Sequence, residues 1–159
     1  MTSKYIRANW KVFILIVSTC LFLTSCSKDK NDIPVSAKRY FRFKSCPESS
    51  HGNWQDTSFV AATSNSKVIQ QCLEQLELPE ESRTLFPLGK IENGSLGYNI
   101  NGTHSFSWHY AEDSWEMVEL GIEIYDGCAY SDVELTNYIE NLGSYGGWSN
   151  IILEEIINP

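Results

Sequence analysis

The stretch SFSWHYAEDSW, Ser105 to Trp115, places His109 between two aromatic residues and ahead of Glu112 and Asp113. An imidazole held by a carboxylate serves as a base or a ligand near neutral pH. Glu123 and Asp126 are the carboxylates expected within reach of it if the strands pair. Together with His109 they would suit a small hydrolase. Yet no Ser or Cys nucleophile motif and no Gly-rich phosphate loop accompanies them, and Ser107, two residues away, makes no triad. The favoured reading of His109 is therefore a residue hydrogen-bonded across a sheet to fix register, with the hydrolase as the alternative. His104 lies five residues from His109, a spacing that puts the two on opposite faces of a regular strand. The D-x-D-x-D calcium pattern is also missing, so no metal or cofactor is expected. Trp54, Trp115, Tyr145 and Trp148 fall near expected loops, where rings stack on sugars or grip a protein partner. The candidate ligand-binding residues are thus His109, Glu123, Asp126, Tyr145 and Trp148.

A second chemistry sits at Cys26. Basic Lys4, Arg7 and Lys11 precede an apolar run from Val12 to Leu23, too short to span a bilayer comfortably, which reads as a signal peptide over residues 1–25. The run ends in Leu23-Thr24-Ser25-Cys26, similar to the lipobox of bacterial lipoproteins. A thiol there takes the lipid before cleavage, anchoring the chain by acyl chains such as palmitate without a membrane span. Ser27-Lys28-Asp29-Lys30-Asn31-Asp32 then resembles lipoprotein export signals, so the expected location is the bacterial envelope, at the outer membrane and exposed on its surface. Residues 26–37 serve as anchor and tether, reaching up to ~36 Å.

Charge excludes some partners. The chain is −8 overall, and removal of the leader with its three bases leaves nine bases against 20 acids, a net of −11. From Ser45 onward only Lys67, Arg83 and Lys90 oppose the acids. Such a surface repels phosphate backbones, so no nucleic acid is expected as a partner. Cys46, Cys72 and Cys128 make an odd number of thiols besides Cys26, so disulfide density does not hold the fold.

The elements that would position these residues follow from periodicity. KRYFRFKS alternates as a strand and DTSFVAAT reads as a second, with CPESSHGNWQ a loop between them. After Ser64, the apolar positions Val68, Ile69, Cys72, Leu73 and Leu76 mark one helix face, stopped by Pro79, and Cys72 reads as a buried thiol. From Phe86 to Asp126 a meander of strands is expected, with turns at Asn93-Gly94 and Asn101-Gly102. In one strand Phe106, Trp108 and Tyr110 oppose Ser105, Ser107 and His109. In the next, Val118, Leu120, Ile122 and Ile124 oppose Glu119, Gly121, Glu123 and Tyr125. Ser131-Asp132-Val133-Glu134 is a capping box for a helix whose stripe is Leu135, Tyr138, Ile139 and Leu142, with Gly143 as its stop. A last strand runs from Ser149 to about Ile156. The order β-β-α-β-β-β-α-β predicts a single α+β domain over residues 38–159. It would be a mainly antiparallel sheet of about five or six strands with two helices on one face.

With these elements in place, Ser58 to Ile156 resembles the N-terminal domain of the calmodulin-binding protein "BP seventy-four" family. The residues carrying the resemblance are Phe59, Val60 and Thr63, then Gly89-Lys90-Ile91, Ser107-Trp108-His109, Glu123 with Asp126-Gly127, Ser131 to Glu134, and Trp148-Ser149. The resemblance implies no particular activity, and its calmodulin link belongs to longer proteins. A net charge of −11 without a basic amphipathic helix argues against calmodulin as a partner. The chain departs from the family at Tyr125 and Gly146, where cysteines are usual, so the Tyr145-Gly146-Gly147-Trp148 turn is expected to be more mobile. The function expected from all this is non-catalytic: a lipid-anchored envelope domain that binds a protein or glycan.

Overall fold

The computed structural model describes residues 37–45, 56–120 and 136–159. β1 (Arg39–Phe43) turns Phe41 and Phe43 into the core and leaves Tyr40 and Arg42 half-buried on its other face, the period of a strand. β2 (Phe59–Thr63) pairs with it antiparallel, Phe41 opposite Ala61, and every residue of β2 is buried. α1 (Ser66–Leu76) follows. Its N-cap is Asn65, whose side-chain oxygen accepts from the Lys67 and Val68 amides at 3.0 and 3.5 Å. The expected stripe faces inward, with Cys72 wholly buried, and burial pushes its thiol pKa up.

β3 (Phe86–Asn93) and β4 (Trp108–Val118) pair antiparallel. α2 (Thr136–Asn141) ends at Gly143, whose φ of +63° supplies the expected stop. β5 (Ser144–Tyr145) then pairs with β3, and β6 (Ile152–Ile156) returns to β1. All these pairings are antiparallel, and the fold is α+β with six strands and two helices among the described residues. No helix among those residues is long and apolar enough to cross a membrane.

The strands form two three-stranded sheets, ordered β2-β1-β6 and β4-β3-β5, where periodicity alone predicts one. Phe43 and Phe59 of the first meet Trp108, Tyr110, Trp115 and Tyr145 of the second. Ring centroids lie 5.4 Å apart for Phe59–Trp108 and 5.8 Å for Phe43–Trp115, the latter edge to face. Each such ring withdrawn from water contributes about 2–3 kcal/mol, so this aromatic junction outweighs any single polar contact between the sheets.

Side chains finish what the ladders leave open. β2 is an edge strand, and an unpaired edge invites other chains. Asn99, fully buried, accepts from the Val60 amide and donates to the Trp108 carbonyl, both at 2.8 Å, so one side chain joins β2 to β4. Asn101 donates to the Ser58 carbonyl at 2.7 Å, and Trp115 Nε1 donates to the Ala62 carbonyl at 2.8 Å. The seam between the sheets is therefore built from amide and indole side chains in place of a backbone ladder.

Candidate functional site

The chain enters β4 with regular alternation. Phe106, Trp108 and Tyr110 are buried in the core as expected, and His109 points to the opposite face. That face is not open: His109 is only 5% exposed. Its Nδ1 lies 2.6 Å from the carbonyl oxygen of Gly94. A carbonyl only accepts, so Nδ1 carries the proton. Gly94 has φ +87°, and its amide also donates to the Ser107 carbonyl at 2.6 Å. Both polar groups of this glycine are thus tied to the start of β4, where the chain leaves β3. His109 Nε2 faces Glu92, its cross-strand partner, with 3.8 Å to Oε2. A hydrogen bond from Lys90 holds the Glu92 carboxyl below its ordinary range. Glu123 and Asp126, expected beside His109, lie outside the described residues, as do Cys26, Trp54 and the Ser131–Glu134 capping box.

Beyond Tyr110 the alternation breaks. Tyr110 sits opposite Ile91 and Trp115 opposite Gly89, so β4 advances five residues while β3 advances two. The three extra residues form a bulge in which Asp113 adopts φ +58°, a conformation that Asp tolerates better than most side chains. The step from Tyr110 to Trp115 is odd and turns the parity over, so Trp115 and Met117 return to the core that Trp108 and Tyr110 occupy. Trp115, expected near a loop, is 3% exposed. β4 runs as one strand through Val118, and of the strand expected after it the residues from Gly121 onward lie outside the described residues; Leu120, expected in the core, is 85% exposed.

Asp113 is the residue whose importance its sequence context did not announce. Its carboxylate accepts four hydrogen bonds from the β2–α1 turn: the Thr63 hydroxyl at 2.8 Å, the Ser64 amide and hydroxyl at 2.9 and 2.6 Å, and the Asn65 amide at 3.0 Å. Burial pushes its pKa up, but these donors together outweigh that and hold it below the ordinary value. Two signals foreshadow it: aromatic positions switch from even (106, 108, 110) to odd (115), and an Asp stands inside the switch. Gly89 is the other half of the device. A Cβ there would collide with the Ser114 carbonyl and the Trp115 backbone, so only glycine lets the bulge cross β3 this closely.

The bulge, the start of α1 and β3 enclose an open cleft of about 410 Å³. Asn65, Lys67, Ser114 and Glu116 rim it, Leu88 supplies apolar surface above the buried Val68, and Asp113 forms part of its wall. The other expected site residues are elsewhere. Tyr145 is 1% exposed and belongs to the core: its backbone carbonyl accepts from the Tyr110 hydroxyl at 3.1 Å and its own hydroxyl accepts from Asn150 Nδ2 at 2.8 Å. The Tyr145–Trp148 turn, expected to be mobile, is further tied by the Asn150 amide donating to the Gly147 carbonyl at 2.9 Å, and Gly146 packs against Leu88. Trp148 is half exposed and available to a partner. Among the described residues no three His, Cys, Asp or Glu side chains gather as a metal site would require.

Comparison with family models matches residues 37–159 to the BP seventy-four N-terminal domain, a span that takes in every described strand and helix. The chain belongs to the BP seventy-four N-terminal domain family. No curated protein and no solved structure matches it. Within the BP seventy-four N-terminal domain of this chain, the resemblance residues Gly89 and Trp108-His109 acquire structural roles: crossing the bulge, filling the junction and closing the β3–β4 connection.

Proposed function

We propose that this chain is a lipid-anchored envelope protein whose BP seventy-four N-terminal domain binds an external ligand and performs no chemistry of its own. The observation supporting this reading is a contrast between two polar regions. The imidazole of His109 is committed to the Gly94 carbonyl inside the fold, whereas the cleft beside the Asp113 bulge has a rigid wall and a rim of accessible polar groups. Ligand sites favour such concave, preformed surfaces, and the volume falls within their usual range. The anchor is the part of the reading that the lipobox at Cys26 supports, with the outer membrane and its external face as the proposed location.

Two experiments test it. Cells fed an alkyne palmitate should label the wild-type protein and leave Cys26→Ser unlabelled; equal labelling of the two would remove the anchor. The purified lipoprotein, probed on a glycan array and in a pull-down from envelope extract, should retain a ligand in one of the two. Empty results in both would overturn the binding reading.

A further inference from the structure

We propose that the cleft beside the Asp113 bulge takes a neutral carbohydrate; the inference rests on the binding reading above and names its ligand class and site. The first observation concerns cations. The described residues contain seven Lys or Arg side chains, and six are committed. Lys38 pairs with Glu112, Arg39 with Glu155, Arg42 with Glu154, Lys44 with Glu80 and Lys90 with Glu92. Arg83 donates to the Leu78 and Ile152 carbonyls at 3.1 and 2.8 Å. The Lys67 side chain has no hydrogen bond or ion pair among the described residues, and it lines the cleft. Among the described residues Lys67 is thus the one cation without a carboxylate or carbonyl partner, and it stands at the cleft.

The second observation is what faces it. Glu116 and Ser114 line the same cleft, and neither side chain makes a hydrogen bond or ion pair among the described residues. Glu116 and Lys67 therefore share one cleft without pairing. A strong acceptor, a strong donor and a hydroxyl arranged around the partly exposed apolar side chain of Leu88 match a sugar ring. Its hydroxyls donate to the carboxylate and accept from the ammonium, and its C–H face lies on the Leu88 side chain. The Asp113 carboxylate is already saturated by four donors, so it serves as a fixed wall and leaves recognition to Glu116 and Lys67. The carboxylates at the cleft and the net charge of the chain repel an anionic ligand, which selects neutral over acidic sugars.

The test uses the full lipidated chain in detergent micelles on an array of neutral hexose and N-acetylhexosamine oligosaccharides, printed beside the same oligosaccharides bearing uronic acid. Wild type should retain neutral members, and Glu116→Gln and Lys67→Gln should each weaken the retained interaction at least tenfold. Lys44→Gln, a matched charge change at an exposed pair with Glu80, should leave it unchanged. All three positions are exposed, and thermal unfolding midpoints equal to wild type will show that the variants fold. Retention of acidic members in preference would overturn the proposal, as would neutral binding indifferent to both cleft substitutions. A bare array combined with a captured envelope protein overturns this inference and leaves the binding reading standing; a bare array with nothing captured overturns both.

Discussion

The two halves of β4 behave as different objects. From Trp108 to Tyr110 the strand alternates regularly, pairs with β3 and commits His109 to Gly94. From Glu112 to Met117 it follows a bulge, crosses β3 at Gly89 and ties itself through Asp113 and Trp115 to the other sheet. The first half closes a hairpin, which is a local task. The second half joins two sheets and walls a cleft, which is a long-range one. A single imidazole between aromatics therefore looks more like chemistry than it is, and an acid in a bulge looks less important than it is.

The largest break in this contrast should come from Gly89→Ala. Its methyl meets backbone atoms of Ser114 and Trp115, which cannot rotate away, so either the bulge or β3 must move. A loss of roughly 3 kcal/mol, or failure to yield soluble protein, is expected in denaturant unfolding. Asp113→Ala comes next, at about 2 kcal/mol: it removes four hydrogen bonds to a partly solvated carboxylate and leaves a β-carbon at positive φ. Asp113→Asn, which tolerates that backbone and keeps one acceptor, should lose less.

The pH dependence sharpens the same point. Asp113 has a folded pKa below its unfolded value of about 3.9, so its contribution is complete above that pH and is lost as pH falls through the folded value. The acid side of the stability profile, between about pH 5 and pH 2, should be flatter in Asp113→Asn than in wild type. A profile of unchanged slope would remove Asp113 from its role in tying β4 to the β2–α1 turn.

How much of this is legible in the sequence depends on the range of the interaction. β1 and α1 can be read because burial repeats at period 2 or 3.6 within each segment, and β2 and the first half of β4, buried on both faces, because their residue types run apolar or alternate between turn residues. The α+β class follows from their order. The bulge cannot be read that way, because it breaks the period on which the reading depends, and extending the alternation past it puts Leu120 in the core, where it does not lie. Two sheets look like one because their seam is made by Asn99, Asn101 and Trp115 side chains, which leave no periodic trace. Tyr145 reads as a loop ring since β5 is only two residues long, too short to alternate. Trp148 alone of the described candidates is exposed, and the cleft residues Lys67, Ser114 and Glu116 come together only through tertiary contact.

His109→Gln should give a smaller effect than the bulge variants, about 1 kcal/mol, since it removes one hydrogen bond at the end of a hairpin while an amide donor can partly replace it. The smallest effect belongs to Glu92→Gln: this carboxylate is solvated, and its loss should leave the thermal midpoint within error.

The most direct measurement is urea unfolding of wild type, His109→Gln and Asp113→Asn at pH 7 and pH 3. If the halves of β4 differ as described, both variants are destabilised at pH 7, Asp113→Asn the more so, and the Asp113→Asn deficit shrinks at pH 3, where Asp113 of the unfolded chain takes up a proton. A His109→Gln variant more stable than wild type would contradict this, since a side chain whose removal stabilises the fold is retained for a ligand or for chemistry.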